Sequence, residues 1–172
     1  MITTTLPEQR SLAQVRRARN GRRVALALLV VFVLCGAAGV FGTRTAERSA
    51  SGGGFDVTVT YPATTRPGHA VKYEVEVRRV GGFRGEPIRM RFAADYFDLF
   101  DENGFTPDPE AASTDRDYDY FEFLPPTGEV FRVSVDTRVE PAVQRGRSGE
   151  VSVLDGSSRP AVTVTYRTRV WP

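Results

Sequence analysis

The chain has 172 residues, with 23 Lys or Arg against 21 Asp or Glu, one histidine and one cysteine. The lone cysteine excludes an intrachain disulfide, and the lone histidine excludes a histidine-rich metal centre. The net charge of +2 is unevenly placed: from Phe55 onward there are 19 acids and 15 bases, a balance of 15 − 19 = −4, so the basic surplus lies upstream and nucleic-acid binding loses its main support.

Residues 1–23 carry Arg10, Arg16, Arg17, Arg19, Arg22 and Arg23 against the single acid Glu8. Within them Thr5-Leu6-Pro7-Glu8 has the Thr-x-x-Glu spacing of a capping box, which predicts a juxtamembrane helix. Behind the arginines stands an uncharged apolar run, Val24 to Phe41. At about 1.5 Å per residue a helix through Gly42 reaches roughly 28 Å, close to the hydrocarbon thickness of a bilayer, and satisfies its own backbone groups. The 24–42 segment therefore reads as a transmembrane helix. Arg22 and Arg23 at its lip would hold anionic lipid on the cytoplasmic side, since basic residues stay inside. A cleaved signal peptide is the competing reading; its apolar centre is usually shorter, about 7–15 residues, and the long basic lead favours an uncleaved anchor. Cys35 follows Phe32-Val33-Leu34, and the bulky Leu34 argues against a lipidated cysteine.

Residues 43–54 (TRTAERSASGGG) are small and polar and predict a flexible linker with a root-mean-square reach of roughly 20 Å. From residue 55 to 172 the period is two almost throughout. In Ala70 to Val80 the residues Val71, Tyr73, Val75 and Val77 take one face, with Lys72, Glu74, Glu76 and Arg78 on the other. The same alternation sets Ile88, Met90 and Phe92 together, and likewise Phe131, Val133, Val135 and Val139, and again Val162, Val164, Tyr166 and Val170. About seven such strands, divided by Gly and Pro turns, predict an all-β fold: an immunoglobulin-like antiparallel β-sandwich. The glycine-rich Gly81-Gly82-Phe83-Arg84-Gly85 is expected to be a hairpin.

One segment breaks the rhythm. Asp95-Tyr96-Phe97-Asp98-Leu99-Phe100 spaces its aromatics for a turn of helix, with Asp95 as its cap and Asn103-Gly104 as its end. An acidic loop should follow, holding Asp115, Asp117 and Asp119; between Asp95 and Asp119 nine acids face the single Arg116. Two uses of this segment stand side by side. Tyr96, Phe97, Phe100 and Phe105 are either an aromatic plug for the sandwich or, with Asp108 and Glu110, a binding surface with an acidic rim. The acids also suggest a calcium site at Asp115, Asp117 and Asp119, although the spacing around Gly104 fails as an EF-hand because Leu99 falls where the first ligand belongs.

Catalytic signatures are missing. His69 follows a Pro-Gly turn, no nucleophile elbow or phosphate loop occurs, and a carboxylate pair such as Asp117 with Glu122 is not selected by spacing, so a cell-wall hydrolase is the weakest reading. No catalytic residue is assigned.

Arginine outnumbers lysine 22 to one, and isoleucine and asparagine occur twice each, a signature of GC-rich coding that discourages reading individual arginines as selected contacts. Pro67-Gly-His-Ala-Val-Lys-Tyr-Glu-Val-Glu-Val-Arg-Arg-Val-Gly81 resembles the opening strand of bacterial immunoglobulin-like cell-surface modules. The stretches YPATTRPG, DYFDLFDENGFTPDP, FLPPTGE, RVEPA and RPAVTVTYRTRV resemble uncharacterised small single-pass actinobacterial membrane proteins. That resemblance implies an accessory subunit beside a membrane-protein partner in the cell envelope, and it carries no catalytic residue or cofactor. The expected function is a membrane-anchored, non-catalytic extracytoplasmic interaction module, with calcium or ligand sensing through residues 95–119 as the alternative.

Overall fold

The computed structural model describes residues 12–39, 42–142 and 145–171 and divides the chain into two compact units, 1–42 and 43–172. The Thr5–Glu8 capping box lies outside the described residues.

The first unit is helix α1, Leu12–Ala37, of which Arg16–Ala37 is long and apolar enough to cross a membrane by length and composition. Val24, Leu28 and Leu34 are each at least 60% exposed, and Val31 and Val33 are nearly so. Gly39, at φ +67°, lies two residues past the end of α1, in the left-handed conformation that glycine adopts after helices.

The second unit is mostly strand, with two antiparallel sheets packed face to face. One sheet has the order β1 (Arg44–Gly52), β2 (Phe55–Thr65), β3 (Ala70–Arg79), β8 (Val130–Val139), β5 (Phe100–Thr106), with the short β11 (Arg169–Val170) parallel to β2. The other has the order β10 (Pro160–Arg167), β9 (Ser148–Leu154), β4 (Ile88–Ala93), β7 (Tyr118–Phe123), β6 (Ala111–Thr114). The all-β sandwich expected from the alternation is the fold.

Register explains how the alternation becomes a core. Val77 lies opposite Val57 on one side and Phe131 on the other, and Val75 lies opposite Val59 and Val133, so apolar rows run straight across three strands. Across the sandwich Met90 meets Phe121 and Val153, and Val151 meets Phe92 and Val164. These residues are buried apart from the half-buried Phe121. Gly149 is required where it stands: a Cβ there would lie 2.3 Å from the Tyr166 ring and 2.8 Å from the Tyr96 ring.

Five expectations are corrected. Residues 44–52 are not a linker; they form β1, paired along β2 through a two-glycine turn in which Gly53 and Gly54 both have positive φ, as tight hairpins require. Their small polar side chains show no apolar alternation because the backbone ladder and two alanines, Ala46 and Ala50, packed on the core, hold the strand. Residues 80–87 are not a hairpin but a crossover between sheets, with Phe83 buried beneath it. The helical turn α2 is confined to Ala94–Phe97, Asp95 lies in its first turn rather than capping it, and Asn103-Gly104 falls in β5 at a bulge. The acidic segment is therefore largely strand, since β5, β6 and β7 run through it. The final alternating run divides, with β10 in one sheet and β11 in the other; the chain changes sheets at Thr168, which is fully buried.

Candidate functional site

The aromatic residues offered as binding anchors belong to the core. Tyr96, Phe97 and Phe100 are 0%, 5% and 7% exposed, which leaves nothing for a partner to grip. Tyr96 packs edge-on against Tyr166 and Phe100, and Phe97 does the same against Tyr73 and Phe92. Phe105 is half-buried, its ring 4.4 Å from that of Phe121. Asp108 and Glu110 are exposed, but they follow the far end of β5 whereas Phe100 begins it. A seven-residue strand holds the two groups on the order of 20 Å apart. The fold thus separates Tyr96, Phe97 and Phe100 from the acids and leaves only the half-buried Phe105 at their end of β5, so the plug reading describes the other three aromatics.

The plug carries its polar groups with it. The hydroxyls of Tyr73 and Tyr166 bond each other inside the core. Tyr96 donates to Thr168 Oγ1 at 2.8 Å, and Thr168 donates onward to the Pro62 carbonyl at 2.7 Å. Desolvation raises the pKa of all three tyrosines, so each stays a neutral phenol through the physiological range.

Asp115, Asp117 and Asp119 are not gathered as ligands. Asp115 sits in the turn between β6 and β7, where Oδ1 accepts the N–H groups of Asp117 and Tyr118 and Oδ2 accepts the Tyr120 hydroxyl, all at 2.8 Å. The N–H of Asp117, then the Tyr120 hydroxyl and the N–H of Tyr118, hold the Asp115 carboxyl below its usual pKa. Asp119 accepts from Thr114 across the hairpin. Among the described residues no group of three or more His, Cys, Asp or Glu is placed to hold a metal ion. Glu122 bonds Arg89 at 2.8 Å within β7, away from the turn that holds Asp117, so these two carboxylates do not form a facing pair. His69 is exposed, and its carbonyl accepts the N–H of Val139. Arg22 and Arg23 are exposed on α1.

A broad concavity lies elsewhere, between the edge strands of the two sheets. β1 pairs only with β2 and β10 only with β9, and both edges fall on the same side of the sandwich. At one end of this seam the strands close tightly, because a Cβ at Gly52 would lie 2.7 Å from the Ala161 carbonyl. Toward the other end they part around a cleft of about 830 Å³, floored by Tyr61, Val164 and Tyr166 and walled by Arg48, Arg167 and Arg169. Alternation puts Arg48 on the same face of β1 as Ala46 and Ala50, and so beside the core. A second hollow of about 420 Å³ shares Arg167 and Arg169 and adds Arg145 and Trp171. Gly146 makes it: a Cβ there would lie 1.9 Å from the Thr168 carbonyl, so only glycine lets the 145–147 chain lie against residues 168–169.

Among the described residues no acid lines either hollow. Among the described residues none of Arg48, Arg145, Arg167 and Arg169 has an ion-pair partner, in contrast to Arg79, Arg89, Arg91, Arg132 and Arg147. Sequence reasoning missed this surface because one wall of its cleft is β1, read as a linker. The one available signal was Arg167 and Arg169 alternating with the buried Tyr166 and Thr168. No protein-family model matches the chain, and no curated protein is found to match it.

Proposed function

We propose that the protein is a single-pass membrane anchor, with a cytoplasmic N-terminus, that displays its β-sandwich outside as a non-catalytic interaction module, an accessory subunit of another envelope membrane protein. The observation that carries this reading is α1. Six arginines precede the apolar run, five of them within α1 itself, the large side chains of the run are exposed, and the arginine asymmetry orients it. Residues 38–43 alone connect α1 to β1, a reach of at most about 22 Å, so a partner in the same bilayer lies within range. The net acidity of residues 55–172 further supports a protein partner over a nucleic acid.

Carbonate extraction of membranes and protease treatment of intact spheroplasts test the anchor and its orientation. The protein should resist extraction and lose its sandwich to protease, and crosslinking in the native membrane should capture an integral membrane protein. Protection of the sandwich, or a mature N-terminus near Thr43, would overturn the reading.

A further inference from the structure

The two arginine-lined hollows lie at the end of the sandwich where the chain enters it. Thr64 of β2 pairs with Arg44, the first residue of β1, and also with Arg169 of β11. The next residue, Thr65, accepts the N–H of Trp171 at 2.9 Å. The first strand residue after the apolar helix, an arginine shared by both hollows and the only tryptophan in the chain therefore meet at one corner. Trp171 is 48% exposed there, an uncommon state for so large an apolar ring.

Three properties of this corner select an occupant. Four guanidinium groups share two adjoining concavities with no carboxylate in the lining, which makes a site for anions, and guanidinium matches phosphate oxygens in pairs. Hydroxyls of Thr165 and Ser148 in the same cleft add donors suited to phosphate or glycerol oxygens. An exposed indole beside arginines is the side-chain pair found at the headgroup level of bilayers, where an apolar ring with one polar N–H is at home.

We infer that Arg48, Arg145, Arg167 and Arg169, with Trp171, form a docking surface for the phosphate headgroups of anionic phospholipids in the leaflet beside the anchor. This rests on the anchor reading above, because residues 38–43 are what bring the corner within reach of a bilayer. Docking would fix the tilt of the sandwich on the membrane and turn its opposite end, with the exposed Val80 and Leu124, away from the surface. Attraction to an anionic leaflet is additive over basic residues and screened by salt, so the docked state should respond to both.

The full chain in lipid nanodiscs provides the test, with Trp171 as the sole indole reporter. Brominated lipids quench indole only on contact. Strong quenching is expected in discs containing phosphatidylglycerol and weak quenching in discs of phosphatidylcholine alone. Substituting Arg167→Gln and Arg169→Gln together should lower the ratio of docked to undocked protein by about fivefold per arginine at low salt, while Arg132→Gln on an outer strand face should leave it unchanged. Equal quenching in both lipids, or indifference to the paired substitution, would overturn the inference. So would relief of quenching by millimolar inorganic phosphate, which would assign the hollows to a soluble anion. Retention in the discs without quenching removes this inference and leaves the anchor standing; release of the protein by carbonate removes the anchor and this inference with it.

Discussion

The hydroxyl of Tyr96, on the single turn of α2, lies 2.8 Å from that of Thr168, the residue at which the chain leaves one sheet for the other. Because Thr168 gives its own proton to the Pro62 carbonyl, 2.7 Å away, a three-member relay ties the aromatic plug to both sheets at one corner. Its three polar groups would be costly if left alone in the core.

Thr168→Val keeps the shape and deletes the relay's centre, stranding the Tyr96 hydroxyl and the Pro62 carbonyl. Urea unfolding should show a loss of about 1–3 kcal/mol, the range for buried polar groups left unsatisfied. Tyr96→Phe should cost less, since Thr168 keeps its bond to Pro62. Equal stability of Thr168→Val and the natural protein would deny the relay any structural weight.

Gly149→Ala should be among the most damaging single-methyl additions in the sandwich. The new Cβ would stand within 2.8 Å of both the Tyr166 and Tyr96 rings, and overpacking of that kind costs about 1–3 kcal/mol or more. At Gly156 a Cβ meets nothing within 4 Å, and Gly156→Ala should shift stability by no more than about 0.5 kcal/mol. Thermal melts of the two variants give the contrast directly.

The separation of plug from acids predicts two different behaviours. Phe100→Ala, which empties a buried aromatic site, should cost about 3–5 kcal/mol. Neutralising the exposed Asp108 and Glu110 should leave the melting temperature where it was. Comparable destabilisation by both changes would mean that the two ends of β5 act together after all.

Strand β1 belongs to the folded unit. A chain beginning at Thr43 should melt cooperatively as an all-β protein, whereas one beginning at Phe55 would bare the edge of β2, and with it Val57, Val59 and Tyr61, and should lose stability and associate. Circular dichroism melts and sedimentation of the two chains test this. Matching behaviour would show that residues 44–52 contribute nothing to the fold.

Tyr73, Tyr96 and Tyr166 have phenol pKa values raised by burial above the ordinary value of about 10. A group whose pKa is higher in the folded state than in the unfolded one stabilises fully below the unfolded value and loses that stabilisation as pH rises above it. Ionisation of these phenols should therefore weaken the sandwich in strongly alkaline solution, above about pH 10. Phenolate absorbance from these three residues should appear together with unfolding. Their early titration in a still folded protein would contradict the burial.

What the sequence determined by itself is what depends on local chemistry. The uncharged run behind the arginines becomes the apolar part of α1 because a helix pairs its backbone groups with neighbours four residues away and needs no distant partner. The two-residue period of Val71 to Val77, Ile88 to Phe92, Phe131 to Val139 and Val162 to Tyr166 specifies strands with one buried face, since alternate side chains must point to opposite sides of a pleated chain. The tertiary structure decided everything that depends on which strands become neighbours. Arg44 to Gly52 is a strand only because β2 offers it a ladder, an interaction of backbone groups that every residue carries and no side chain announces. Whether Tyr96 and Phe100 face a partner or a core was likewise undetermined until Tyr73, Phe92 and Tyr166 arrived from distant parts of the chain to cover them. The arginine-lined corner is the same case: Arg48, Arg145 and Arg169 are far apart in the chain, and they share one surface because two sheet edges part there and Gly146 lets the chain lie close.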